Sequence, residues 1–451
     1  MDLNFWYLKS RDITYFKQKI GAILEVPPTK YHNYDDMTAL LNNITLRWPD
    51  VTKLYKLSQP TWGGRELWVI QISTDVNRQR SSLKPMFKYV ANMHGNEVVG
   101  RELLLSLPEF LLQRYYSGHN PEIERLINST DIHLLITMNP DGFEQATLGD
   151  CTRYDDTSGR KNGRNVDLNR NFPTKDDLTE AEGRLFYGRE PETRSVMRWI
   201  LDNPFVLSIN FHGGAVVSNY PFDDSDAPTG VISRTPDHDL FKHLATIYAS
   251  NHEDMFQGSG LCKQQTFPNG ITNGAEWYVV KGGMQDFNYL FTNCFEITVE
   301  LSCCKYPQES DLPNEWSKNV KSLIKFIQSI HIGVKGIVSD VDGSPIGNAN
   351  VIVDGNTKMI KTTERGEYWR LLLPGVYNIY AEAQNGKKRS AQFKVNVTRN
   401  EVVRLDLKLS NIYSENVNES ENWSENSGCN PFKSLLKILN LFSAIVFTLF
   451  N

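Results

Sequence analysis

An α/β domain with a mixed, largely parallel central sheet and helices on both faces, followed by a small all-β sandwich, is the fold class that this 451-residue sequence predicts. Three observations predict it. Between residues 31 and 330, near-continuous apolar runs alternate with amphipathic ones, the pattern of strands buried on both faces and helices laid against them. After residue 330 the texture changes to short alternating segments separated by turn signals. A hydrophobic content of 40% and a charged content of 22% are ordinary for a globular chain, and the length allows two or three domains.

The strands expected in the first region are "LWVIQIS" (67–73), "KPMFKYVANM" (84–93), "DIHLLITMNP" (131–140), "FVLSINF" (205–211) and "CFEITVELS" (294–302). Apolar spacings of three and four predict helices at 37–48, 100–116, 191–203, 238–252 and 313–330. Between residues 331 and 410, "GVKGIVSD", "ANVIVDG", "GEYWRLLL", "GVYNIYAEA", "SAQFKVNVT" and "VVRLDLKL" predict the sandwich, with "DGSP", "PG" and "QNGKK" as turns. Residues 411–430 are polar and low in complexity, a linker or stalk.

A net charge of −5 with no Lys/Arg block argues against a nucleic-acid partner. Six cysteines contain no C-x-x-C pair, which argues against a zinc ribbon or a thioredoxin-like motif. Five N-x-[ST] sequons, at Asn43, Asn128, Asn396, Asn418 and Asn422, favour the secretory route as N-glycosylation candidates. Residues 431–451 hold a hydrophobic tail preceded by small and polar residues, the pattern of a GPI-anchor signal. A docked hydrophobic helix is the other reading of that tail. Residues 1–30 lack an uninterrupted apolar signal region and read as an atypical or misassigned start.

His94 and Glu97 stand three apart where an apolar strand ends and a helix begins. In such sheets, functional residues gather at the carboxyl ends of strands. His119 and Glu122 repeat the spacing after a helix end, in a Gly/Asn/Pro loop, and read as surface polar residues. A catalytic zinc takes three protein ligands and keeps a position for water. Of the downstream histidines, His212 alone ends an apolar strand, before two glycines that would let backbone and substrate approach closely; a packed strand-end His is the other reading. "CFEITVELS" places Glu296 and Glu300 on one face of a strand. Glu300, nearer the carboxyl end, is the better base for a metal-activated water, with Glu296 the structural alternative. "GRKNGRNVDLNRNFP" (159–173) adds Arg and Asn suited to carboxylate and oxyanion recognition, unless it is an ordinary solvated loop.

These residues, with "MNPDGFE", "DLNRNFP", "FHGGAVVSNYPFDD", "NGAEWYVVKGGMQDFNY" and "CFEITVELSCCKYP", make the chain resemble the zinc metallocarboxypeptidases of the regulatory N/E branch, over residues 31 to 410. "NFH" and "DF", where the branch more often has "NLH" and "DW" or "DY", are apolar exchanges. The resemblance implies a catalytic domain at 31–330, a transthyretin-like sandwich at 331–410, and one zinc ion held by His94, Glu97 and His212. It implies Glu300 as general base, Arg160 as the oxyanion and carbonyl-polarising group, and Asn169 and Arg170 as the clamp on the substrate's terminal carboxylate. Tyr278 matches a tyrosine that closes over the substrate. Asp223, with Gln285 in the same pocket, matches the acid that selects a basic side chain; Asp224 is its alternative. The branch also implies disulfides Cys151–Cys304 and Cys262–Cys303.

The expected function is removal of C-terminal Lys or Arg from peptides and proteins by a monomer, lipid-anchored on the outer face of the plasma membrane. A catalytically silent peptide- or protein-binding member of the same fold is the alternative, and retention of His94, Glu97, His212 and Glu300 argues against it. A metal-dependent deacylase is argued against by Asn169, Arg170 and Tyr278.

Overall fold

A computed structural model describes residues 27–151, 158–263, 265–399 and 401–412. The start at 1–26, the tail at 431–451 and the sequons Asn418 and Asn422 lie outside the described residues. Eight strands form the central sheet: β1 (Thr52–Lys56), β2 (Trp68–Ile72), β3 (Met86–Ala91), β4 (Asp131–Leu135), β5 (Phe205–His212), β6 (Val217–Tyr220), β7 (Ile271–Asn273) and β8 (Phe295–Glu300). Their order is β1-β2-β4-β3-β5-β8-β6-β7. The central run β4-β3-β5-β8 is parallel, while β1 and β2 on one side and β6 beside β8 pair antiparallel. β3, β4, β5 and β8 are buried along their whole length, as continuous apolar strands covered on both faces must be.

Seven longer helices flank the sheet: α1 (Tyr34–Arg47), α2 (Val99–Ser117), α3 (Pro121–Ser129), α4 (Pro191–Asp202), α5 (His238–Asn251), α6 (Met284–Phe291) and α7 (Leu312–Gln328). The strand period of two divides the core. Phe87, Tyr89, Phe211 and Ile297 pack with residues of α1, α2, α5 and α7. Met86, Val90 and Leu135 face the other way, against Val196, Met197 and Ile200 of α4 and Met284 and Phe287 of α6. On that second face, Lys88 and Glu296 form a buried ion pair at 3.0 Å, and Ser208 Oγ donates to the same carboxylate at 2.5 Å. Glu296 is thereby committed to holding β3, β5 and β8 together.

His119 lies exposed in the expected loop, whereas Glu122 does not. Asn120 caps α3 by accepting from Ile123 N, Pro121 fills the first helical position, and Glu122 lies in the first turn, bonded to Lys325. Each of the six segments expected in the sandwich carries a strand, beginning with β9 (Gly333–Ser339). One sheet gathers Asn350–Val353, Gly375–Glu382 and Phe393–Val397; the other pairs β9 with Glu367–Arg370 and Val402–Arg404. No helix among the described residues is long and apolar enough to cross a membrane.

Candidate metal centre

The site is assembled at the carboxyl ends of β3, β5 and β8. After β3 the chain turns at Asn92, whose φ of 58° lies in the left-handed region that Asn tolerates. Its side-chain amide donates to the carbonyls of His94, Gly95 and Glu97 at 3.0, 2.8 and 3.2 Å, and Thr137 Oγ1 donates to its oxygen at 2.7 Å. One buried amide thus fixes the loop that carries His94 and Glu97. His212 closes β5, and the parallel register sets it opposite Glu300 of β8.

Three atoms converge. His94 Nδ1 and His212 Nδ1 lie 2.9 and 2.8 Å from Glu97 Oε2, and 3.1 Å from each other. All three residues are buried, and among the described residues they are the only group of three His, Cys, Asp or Glu side chains close enough to share a metal ion. Two imidazoles and a carboxylate aimed at one point are a donor set suited to zinc, and the separations approach those required of ligands each about 2 Å from one ion. The outer contacts orient the rings. His94 Nε2 faces Asp167 Oδ1 at 3.0 Å while Arg160 Nη1 donates toward Nδ1, so the Nδ1 lone pair faces inward. His212 Nε2 meets the Asn210 amide at 2.8 Å, and Asn210 Oδ1 is buried without a partner among the described residues. Turning that amide brings the orphaned oxygen to an Nε2–H and leaves the inward Nδ1 free to act as a ligand.

Electrostatics separate the two carboxylates at the centre. Burial opposes ionisation of Glu97, but the facing His94 and Lys305, with the bond from His212, hold it well below the usual range. Burial, and then the charge of Glu97, push Glu300 well above its ordinary value. Glu300 Oε2 is buried and has no hydrogen-bond partner among the described residues. Burial also lowers His212. Arg160 bonds Glu97 Oε1 at 3.1 Å and Asp167 Oδ2 at 3.0 Å.

The remaining expected residues surround this centre. Asn169 Oδ1 accepts from Met284 N at 3.0 Å, and the exposed Arg170 donates to the Asn169 carbonyl. Tyr278 is half-exposed, and its phenol is within electrostatic reach of Glu300, Asp223, Arg160 and Arg170. Asp223 is buried and accepts from Asn219 Nδ2 at 2.9 Å and from Gln285 Nε2 at 3.0 Å. Burial, with Glu296 and Asp224 nearby, raises its carboxyl to about 6. Gly274 is required here, because a Cβ would stand 1.7 Å from Asp223 Oδ1. Asp224 is buried beside it; both of its oxygens lack hydrogen-bond partners among the described residues, and Lys281 Nζ lies 3.9 Å from Oδ1. The disulfides Cys151–Cys304 and Cys262–Cys303 are both formed. Asn43, Asn128 and Asn396 are exposed.

Five contributors were not singled out from sequence: Asn92, Asp167, Asn210, Asp286 and Lys305. Asp286 accepts the backbone N–H groups of Asp223 and Asp224 at 2.8 to 3.0 Å and so aims both acids. Asp167 was open to a search, since a ligating His nearly always has a carboxylate or carbonyl behind it.

A mixed sheet with three potential ligand atoms and, at the adjoining strand end, a carboxylate oxygen without a hydrogen-bond partner among the described residues is an α/β scaffold built around a candidate metal centre. The chain belongs to the zinc carboxypeptidase family, whose profile matches residues 37–322, and a carboxypeptidase regulatory-like domain matches residues 333–410. It is 45% identical over 385 residues to carboxypeptidase D of Drosophila melanogaster, covering 84% of this chain but 27% of that protein. It is 45% identical over 368 residues to carboxypeptidase M of Mus musculus, covering 80% of each chain. It is 42% identical over 402 residues to the carboxypeptidase N catalytic chain of Rattus norvegicus, covering 84% of this chain and 86% of that one. The crystal structure of thrombin activatable fibrinolysis inhibitor shares the fold, with a TM-score of 0.52 at 19% identity over 70% of this chain and 79% of that one.

Proposed function

We propose that the chain is a zinc-dependent exopeptidase that removes C-terminal Lys or Arg from peptides and proteins. The observation that carries this reading is the triangle of His94 Nδ1, Glu97 Oε2 and His212 Nδ1, with Glu300 at the next strand end, its Oε2 buried without a hydrogen-bond partner among the described residues. Zinc held by those three residues would supply a Lewis acid for the scissile carbonyl and lower the pKa of water. Glu300 takes a proton from the attacking water and returns it to the leaving amine, a task suited to a carboxylate whose proton affinity is raised. Arg160 stabilises the oxyanion, and Asn169 and Arg170 bind the terminal carboxylate. Tyr278 closes over the bound residue. Asp223 forms no ion pair among the described residues, and with Gln285 it offers a buried anion to a cationic side chain.

A dansylated substrate ending in Arg should be hydrolysed and a chelator should abolish the activity. Glu300→Gln should retain one zinc per chain yet lose activity; hydrolysis surviving in that variant would remove Glu300 from its role. N-glycosylation at Asn43, Asn128 and Asn396, and a C-terminal lipid anchor holding a monomer at the cell surface, belong to the same proposal. Their support is the exposure of those three residues and the composition of the tail. Release from intact cells by a phosphatidylinositol-specific phospholipase tests the anchor.

A further inference from the structure

The two oxygens of Glu97 are divided between different partners. Oε2 faces the two histidines, whereas Oε1 faces Lys305 Nζ at 3.3 Å and Arg160 Nη1 at 3.1 Å. Lys305 comes from the turn after β8, a part of the chain distant from the His94 loop in sequence. Its course is determined at several points. Its backbone carbonyl accepts from Val98 N at 3.1 Å. Its aliphatic stem crosses Gly214, where a Cβ would stand 3.1 Å from Lys305 Cε and where a φ of 115° already demands glycine. Gly214 thus makes room for the Lys305 stem.

Disulfides through Cys303 and Cys304 fasten the preceding two residues, to Cys262 and Cys151. Within the same turn, Leu301 N donates to the His212 carbonyl at 3.2 Å, and the Ser302 carbonyl accepts from Gly214 N at 2.7 Å. Residues 301–305 therefore bond backbone to backbone beside His212 and beside Glu97. The lysine side chain is mostly covered, so its charge acts on Glu97 with little screening.

We infer that Lys305 is a positioning residue for the metal centre: it holds Glu97 Oε1, so that Oε2 alone is presented with the two imidazoles as a ligand. This rests on the zinc reading above. A carboxylate fixed in this way gives up less rotational freedom on binding the ion. Outer partners of metal ligands are worth roughly ten- to a hundredfold in metal affinity.

The test is zinc affinity of the full chain, measured by competition with a chromophoric chelator, alongside the unfolding midpoint of the metal-free protein. Lys305→Met keeps the stem over Gly214 and removes the charge. It should weaken zinc binding about tenfold or more, and Lys305→Arg should retain most of the affinity. Equal affinity in Lys305→Met and the unchanged chain overturns the inference. So does a matched loss in both variants accompanied by a lower metal-free midpoint, which would make the residue merely structural. An unchanged chain that binds no zinc overturns the zinc reading and this inference together.

Discussion

Asp223 shows how a single side chain acquires a function from its surroundings. Its backbone N–H is taken by Asp286, one of its oxygens by Asn219 and Gln285, and its burial costs enough to raise the carboxyl to about 6. A raised carboxyl is neutral below that pH and ionised above it, and only the ionised form attracts a Lys or Arg side chain. For an Arg-ended substrate, KM should therefore fall as pH rises through about 6, while a bound cation shifts the same step to lower pH in the complex. Asp223→Asn should flatten that limb of the KM profile. Loss of a charge-assisted hydrogen bond worth about 1.5–3 kcal/mol should cost kcat/KM roughly ten- to a hundredfold. An unchanged profile in Asp223→Asn would transfer the role to Asp224. His94, Glu97, His212 and Glu300 were legible as candidates because each sits at a strand end, a position that periodicity reveals. Lys305 and Asp286 were not, since their partners are fixed by long-range approach of chain segments and carry no local pattern.

At the scale of elements, the centre depends on β5 lying between β3 and β8 with helix α2 pressed against it. Gly100, near the start of α2, is buried, and a methyl there would meet the Phe211 Cβ at 2.7 Å and the Ala91 Cβ at 3.4 Å. Neither is the yielding end of a flexible side chain. Gly100→Ala should therefore push α2 off the sheet and cost about 1–3 kcal/mol by overpacking, despite the better helix propensity of Ala. Urea unfolding of the metal-free chain checks this, and a stabilised variant would mean that the helix shifts freely. The same elements show what sequence periodicity can reach. β3, β5 and β8 and the helices at Val99–Ser117 and Leu312–Gln328 are long enough for their apolar spacing to fix them within a few residues. β1, β6 and β7 are three to five residues long, outside the central parallel run, and too short to display a period. Helix α3 was hidden by the Gly, Asn and Pro residues at its start, although Asn120 and Pro121 are a proper start signal.

For the whole molecule, charged groups join the sandwich to the α/β domain, and composition does not disclose them. Arg80 Nη2 lies 2.7 Å from Glu367 Oε2, and Leu83 N donates to the same carboxylate. Deeper in, Arg370 Nη2 lies 2.6 Å from Asp237 Oδ1, with the Arg370 side chain fully buried and that of Asp237 nearly so. Asp237 also accepts from Tyr289 Oη at 2.8 Å and Asn356 Nδ2 at 2.9 Å. It therefore binds groups from the sandwich and from α6, just ahead of α5. Such a pair is a weak source of net stability while intact, because both ions have given up water. Breaking it from one side is another matter, since the survivor stays buried with its charge unmet. Arg370→Met should cost about 3–5 kcal/mol, and adding Asp237→Asn should recover part of that by removing the stranded charge. Fluorescence and circular dichroism should follow a single denaturant transition, shifted to lower concentration in Arg370→Met and partly restored in the double variant. A Met variant that unfolds at the original denaturant concentration would show that water reaches Asp237 and that this ion pair does not hold the joint between the domains.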